Sequence, residues 1–71
     1  MNKTLYELGE EYLVEIDSLN KKIEKYRARL RKAMNEHNAD EIFTVQKLLR
    51  IFYSQKDEMT QTARILLHYY S

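Results

Sequence analysis

The sequence predicts an all-α fold: an antiparallel hairpin of two long helices that dimerises into a four-helix bundle. Three observations lead to this prediction. The 71 residues include no proline and a single glycine, so few positions interrupt regular structure. Good helix formers such as Leu, Glu, Lys and Arg dominate the composition. Apolar residues recur every three or four positions through almost the whole chain, which is the spacing of a packed helix face.

Helix one is expected over about residues 5–36. Thr4 followed by Glu7 fits a capping box, in which the Thr hydroxyl accepts a hydrogen bond from an amide of the first turn. Two seams at heptad spacing then form the predicted buried face. One seam contains Gly9, Ile16, Ile23, Leu30 and His37, and the other contains Leu5, Tyr12, Leu19, Tyr26 and Ala33.

Residues 37–40 are the predicted loop, because Asn and Asp side chains bond readily to nearby backbone. Either Asn38 or Asp40 can cap the next helix. Helix two is expected over about residues 41–69. Only Lys56 interrupts its apolar seam, which contains Ile42, Val45, Leu49, Phe52, Met59, Ala63, Leu66 and Tyr70. The polar stretch 54–57 leaves open a kink, or a third helix that begins with Ser54 as its cap, although no Pro or Gly imposes a break.

A loop this short predicts that the two helices lie antiparallel. Facing residue numbers should then sum to roughly 76, which places Tyr26 near Arg50. Lys56 in the seam would need an acidic partner, and Asp17 and Glu24 are the nearest candidates on this register. Gly9 either permits close approach of another helix, under Tyr69 or Tyr70, or is simply tolerated near a fraying end.

Apolar residues outside the seams predict that one hairpin is not the whole assembly. A single seam between two rods buries little apolar surface against the conformational entropy lost on folding. A homodimer in the form of a four-helix bundle would cover the remainder, and a different protein partner is the alternative. The off-seam residues are Leu8, Leu13, Val14, Met34, Phe43, Leu48, Ile51, Tyr53, Ile65, Leu67 and Tyr69.

Six tyrosines are a high number for this length, and tyrosine is common at interface hot spots. Four of them are expected to gather at the open end of the hairpin. The candidate partner interface consists of Tyr6, Tyr12, Leu48, Ile51, Tyr53, Ile65, Tyr69 and Tyr70. The alternative is that the tyrosines form the edge of the core and keep their hydroxyls in solvent.

A basic run at residues 21–32 contains seven cations and one anion. A stripe of cations at helical spacing can follow the phosphates of a nucleic acid. The candidate contacts are Lys22, Lys25, Arg29 and Lys32, with Lys47 and Arg50 expected alongside. The alternative is a solvated face whose charge complements the acidic first half of helix one when two hairpins dock antiparallel.

No enzyme, cofactor or metal site is predicted. The chain has no cysteine, and His37 and His68 are expected near opposite ends of the hairpin. No acid, base and nucleophile cluster is recognisable. We expect no signal peptide, because Met1–Thr4 leads directly into a charged helix, and no membrane span, because the apolar runs are short. The lack of disulfide staples favours a cytoplasmic protein.

Three segments resemble short uncharacterised helical proteins of Gram-positive bacteria, which are often encoded on mobile elements. These segments are Leu8 to Leu13, Leu49 to Ile51, and Thr62 to Tyr70. The resemblance implies a small accessory or regulatory protein, and no catalytic residues come with it. The length of the helices and the short Asp-containing loop are also similar to the architecture of the Rop hairpin, a dimeric four-helix bundle.

The segment Ile16 to Asn20 is similar to the opening of the helical chorismate mutases. That family has arginines where this chain has Leu13 and Leu30, and the third helix is missing, so the enzyme is not predicted. The predicted function is a non-enzymatic protein–protein interaction module, a homodimerising helical hairpin of accessory or regulatory role. The alternative is a nucleic-acid-binding regulator that uses the basic stripe of helix one.

Overall fold

The computed structural model describes residues 4–69, which form two long helices joined by a tight turn. Helix α1 spans Leu5–Asn35 and helix α2 spans Ala39–Tyr69. The helices pack against each other along a rod whose extents are 50 × 19 × 15 Å. The all-helical hairpin expected from the sequence is therefore confirmed, and no strand occurs within residues 4–69.

Helix α1 begins at the predicted cap. The Thr4 hydroxyl oxygen accepts a hydrogen bond from the Glu7 amide at 3.1 Å. The Leu8 amide donates to the Thr4 carbonyl at 3.0 Å, which is the first bond of the helical ladder. Thr4 thus satisfies donors of the first turn that would otherwise have no partner in the helix.

The turn between the helices is a Schellman motif. The Asn38 amide donates to the Ala33 carbonyl at 2.9 Å, and the His37 amide donates to the Met34 carbonyl at 3.2 Å. His37 has a φ of 54°, the left-handed conformation that this motif needs. Asn38 also caps α2, since its Oδ1 accepts from the Glu41 amide at 3.2 Å. The predicted loop at 37–40 was therefore too long, because Asn38 belongs both to the C-terminal motif of α1 and to the N-terminal cap of α2.

The buried core follows the predicted seams. Leu19 and Ile23 of α1 cluster with Val45 and Leu49 of α2, and Val45 is fully buried. Four half-buried side chains pack around this cluster: Tyr26, Leu30, Phe52 and Met59. The small seam residues Ala33 and Ala63 are buried nearer the two ends of the rod. The predicted seam residues Leu5 and His37 are exposed, because they lie in the first turn and in the loop.

The predicted register holds at the open end of the hairpin. Gly9 lies beside Leu67, and these two numbers sum to 76. Nearer the turn, Tyr26 packs on Phe52 with ring centroids 5.2 Å apart. The expected neighbour Arg50 is exposed instead. Aromatic packing in the seam therefore selects Phe52, an apolar residue two positions further along α2.

Helix α2 is continuous through residues 54–57, so the alternative of a third helix that begins there is wrong. Lys56 is half-buried in the seam. Its predicted pairing with Asp17 or Glu24 is not observed among the described residues. Asp17 pairs instead with Lys21, one turn away on its own helix, at 3.4 Å.

Gly9 is buried against Leu66 and Leu67 of α2, near the open end of the hairpin. A Cβ atom added to Gly9 would lie 2.9 Å from Cγ of Leu67 and 3.2 Å from Cβ of Leu66. Of the two interpretations of Gly9, close approach is therefore the correct one. The neighbours are Leu66 and Leu67, whereas the sequence suggested Tyr69 or Tyr70.

Candidate interaction surfaces

The seam divides the surface of the rod into two lateral sides. Because the helices are antiparallel, residues that flank the seam at matching heptad positions meet on the same side. On one side the Arg29 guanidinium forms an ion pair with the Glu41 carboxylate across the helices. On the other side, Tyr6 and Leu67 line one shallow depression together with Arg64 and His68.

We name the side with Tyr6 and Leu67 the Tyr53 face. On α1, Leu13 and Met34 follow Tyr6 at multiples of seven residues, and on α2, Tyr53 precedes Leu67 by fourteen. Gln46 and Arg50 line a depression with Tyr53 and another with Phe43, so Phe43 belongs to this face as well. Five of its large apolar side chains are exposed, among them Phe43 at 70%, Leu13 at 48% and Tyr53 at 41%, together with Tyr6 and Met34.

We name the side with the Arg29–Glu41 ion pair the Arg29 face. Leu8 and Lys22 precede Arg29 by multiples of seven residues, and Leu48 follows Glu41 by seven. Ile51 and Ile65, which flank this side on α2, are 46% and 67% exposed. Leu48 is half-buried. This face thus has fewer exposed large apolar side chains than the Tyr53 face, and an ion pair closes the seam along it.

The predicted partner interface is divided between the two faces. Tyr6 and Tyr53 lie on the Tyr53 face, whereas Leu48, Ile51 and Ile65 lie on the Arg29 face. Tyr12 is half-buried in the seam. The side chain of Tyr69 and all of Tyr70 lie outside the described residues, so the expected cluster of four tyrosines can be located only in part.

Three exposed apolar residues of the Tyr53 face were left out of the predicted interface, namely Leu13, Met34 and Phe43. The predicted interface consisted of tyrosines and of off-seam residues of helix two. The spacing of Leu13 and Met34 from Tyr6 was a sufficient signal, because multiples of seven residues place side chains on one line of a packed helix. Phe43 had no comparable signal, since its place on this face is known from the depression that it lines with Gln46 and Arg50.

Half of the predicted basic stripe is engaged inside the hairpin. The Lys22 ammonium lies 5.5 Å from the centroid of the Phe52 ring. The Arg29 guanidinium lies 5.1 Å from the centroid of the Tyr26 ring and also pairs with Glu41. Both distances are in the range of cation–π attraction. Lys25 and Lys32 of the same stripe are exposed.

Lys47 and Arg50 do not lie alongside this stripe, as the sequence suggested. Both line the depression that contains Phe43, so they belong to the Tyr53 face. The expected position was wrong because the antiparallel register fixes where a residue lies along the rod axis and does not fix the side of the seam on which it lies. The six candidate cations therefore do not form one continuous patch.

The histidines lie at opposite ends of the rod, with His37 in the turn and His68 in the last turn of α2. Within residues 4–69, no three His, Asp or Glu side chains are placed to share a metal ion. Over the same range, neither helix combines the length and the hydropathy that a membrane span requires. No protein family, curated protein or solved structure matches the chain. The proposed function therefore depends on the chemistry of the Tyr53 face and the Arg29 face.

Proposed function

We propose that this chain is a non-enzymatic protein–protein interaction module, a helical hairpin that homodimerises and has an accessory or regulatory role. Its strongest support is the area that one copy leaves exposed. The chain exposes 5917 Å². A compact monomer of 8.6 kDa would expose roughly 4,700 Å². The excess of roughly 1,200 Å² is comparable to the roughly 800 Å² that each partner buries in a typical stable complex.

The elongated shape explains this excess. The radius of gyration is 16.0 Å, whereas a compact domain of this length would have one of roughly 11 Å. A rod of two helices has one seam, and side chains off that seam have no second layer to pack against. Contiguous apolar patches of this kind usually mark a surface that a partner covers.

The chemistry of the surface supports an interaction role over catalysis. The depressions on the Tyr53 face are lined by a mixture of apolar, polar and charged side chains, as protein interfaces are. An accessory or regulatory role is supported by the resemblance to short helical proteins of Gram-positive bacteria. The absence of cysteine supports a cytoplasmic setting, since small secreted domains often need disulfides.

Sedimentation equilibrium of the wild-type chain tests the homodimer directly. From about 1 to 100 µM we expect the apparent mass to rise toward twice 8.6 kDa, because dimerisation responds to concentration. A mass that stays at the monomer value across this range would refute the homodimer.

Nucleic-acid binding is the second candidate, and the exposed Lys25 and Lys32 favour it. Gel shifts with duplex DNA and structured RNA at low salt test it. We then expect binding below about 10 µM that weakens steeply with salt and is lost when Arg29 and Lys32 are both changed to Glu. The matched control changes Lys47 and Arg50 to Glu on the other face. An absence of binding, or equal losses in both double variants, would reject a specific role for the stripe.

A further inference from the structure

We propose that the second copy packs on the Tyr53 face, with its ends reversed, so that α1 lies antiparallel on α1 of the other copy and α2 on α2. This inference rests on the proposed homodimer and adds its face and its direction. The occupant is a second copy of this chain. Its apolar residues and its charges complement those of the first copy, and the face is large enough for a stable interface.

Four apolar residues of the Tyr53 face lie at its two ends, and Tyr53 lies near its middle. Tyr6 and Leu67 lie at the open end, and Met34 and Phe43 lie near the turn. Asn20 lies fourteen residues from both Tyr6 and Met34 and is half-buried. A two-fold axis passing near Asn20 therefore places Tyr6 on Met34 of the second copy, and Leu67 near its Phe43. Both contacts occur twice in a symmetric dimer.

The charges of this face favour the same direction. In the half toward the open end, three acids (Glu10, Asp17 and Asp57) accompany one cation, Arg64. In the half toward the turn, four cations (Arg27, Arg31, Lys47 and Arg50) accompany one acid, Glu24. The two halves thus have net charges of −2 and +3. Reversed ends place opposite charges together, whereas a parallel dimer would place like charges together.

One pairing in this arrangement is between like charges. An ion pair within each hairpin reduces the repulsion. Asp17 would face Glu24 of the second copy. Asp17 forms its ion pair with Lys21 at 3.4 Å, so a cation accompanies this contact. Glu10, in contrast, would face Arg31 of the second copy directly.

The size of the face is sufficient for a stable dimer. The rod is 50 Å long and between 15 and 19 Å wide. One side therefore covers roughly 750 to 950 Å², close to the roughly 800 Å² per partner of a standard interface. The Arg29 face, with Lys25 and Lys32, remains in solvent.

Disulfide trapping tests both the face and the direction, because the chain has no cysteine of its own. We expect Asn20→Cys to form a disulfide-linked dimer on mild oxidation, since the two-fold axis brings this position close to itself. The control is Ser18→Cys, which has the heptad position of Lys25 and Lys32 and lies on the opposite flank of α1. It should stay unlinked.

A charge exchange provides a second measurement in solution. Glu10→Arg and Arg31→Glu should each raise the dimer Kd by about fivefold, because a like-charge pair then occurs twice in the dimer. The double variant should recover most of the wild-type affinity. Failure of the double variant to recover, with both single variants weakened, would overturn the antiparallel contact.

The results separate this inference from the homodimer on which it rests. A wild-type chain that stays monomeric in sedimentation removes both. A wild-type dimer in which Ser18→Cys links, or in which Asn20→Cys does not, overturns the face and direction and leaves the homodimer intact. Circular dichroism of each variant confirms that the helices are retained.

Discussion

At the scale of single residues, His37 occupies a backbone conformation that glycine adopts more readily. Its φ of 54° completes the Schellman turn, and side chains with a Cβ atom are strained there. We expect His37→Gly to raise the free energy of unfolding by about 0.5–1 kcal/mol, since relief of strain exceeds the added entropy of the unfolded chain. Urea denaturation monitored by circular dichroism measures it.

The neighbouring Glu36 provides the control for this prediction. Its φ is −88°, in the right-handed region, so glycine relieves no strain there. Glu36→Gly should therefore lower the free energy of unfolding, whereas His37→Gly raises it. If both substitutions destabilise the hairpin, left-handed strain at His37 is not significant.

At position 9 a glycine is already present, and adding a side chain is expected to destabilise the hairpin. Alanine usually stabilises a helix by about 1 kcal/mol relative to glycine. Here its Cβ would lie 2.9 Å from Cγ of Leu67, and overpacking costs about 1–3 kcal/mol. We expect Gly9→Ala to destabilise the hairpin by about 1 kcal/mol in chemical denaturation.

The Leu67→Ala background tests the cause of this loss. With the Leu67 side chain shortened, the added Cβ has room, and Gly9→Ala should then stabilise by about 0.5–1 kcal/mol. A substitution at position 9 that has the same effect in both backgrounds would show that the contact with Leu67 does not set the sign.

At the scale of the helices, Lys56 is the one charged residue in the seam of α2. It is half-buried and forms no ion pair with Asp17 or Glu24 in the described residues. Burying part of a cation opposes folding, whereas a methionine of similar length adds apolar burial. We expect Lys56→Met to raise the free energy of unfolding by about 1 kcal/mol.

Lys25→Met is the matched control, because Lys25 is exposed and lies with the Arg29 face, which the proposed dimer leaves in solvent. Its effect should stay within about 0.5 kcal/mol of zero. Destabilisation by Lys56→Met would indicate that the Lys56 ammonium makes a favourable contact that outweighs its partial burial.

The helices themselves could be predicted because their signals are local. Thr4 and Asn38 are cap residues in the sequence and in the structure, and the seam residues Leu19, Ile23, Val45 and Leu49 form the core. The side on which a flanking residue lies is not local, since it depends on which heptad positions of two antiparallel helices meet. For that reason Lys47 and Arg50 were expected on the wrong face. The choice of Phe52 over Arg50 as the neighbour of Tyr26 depends on side-chain packing that spacing alone does not encode.

At the scale of the whole molecule, the proposed dimer links the stability of the fold to association. One seam and a small core bind the two helices, so in that dimer the second copy would contribute much of the burial that keeps them folded. We expect the thermal midpoint to rise with protein concentration, by about 3–6 °C for each tenfold increase, because unfolding also releases a partner.

Two single substitutions show which face supplies this concentration dependence. Leu13→Lys introduces a charge on the Tyr53 face, and Ile65→Lys introduces the same charge at an exposed position beside the Arg29 face. In the proposed dimer residue 13 faces Arg27 of the second copy, so Leu13→Lys places like charges together in the interface and should abolish the dependence and lower the midpoint. Ile65→Lys should keep the dependence, because its ammonium stays in water. The reverse result would place the second copy on the Arg29 face and leave the Tyr53 face open to a different protein.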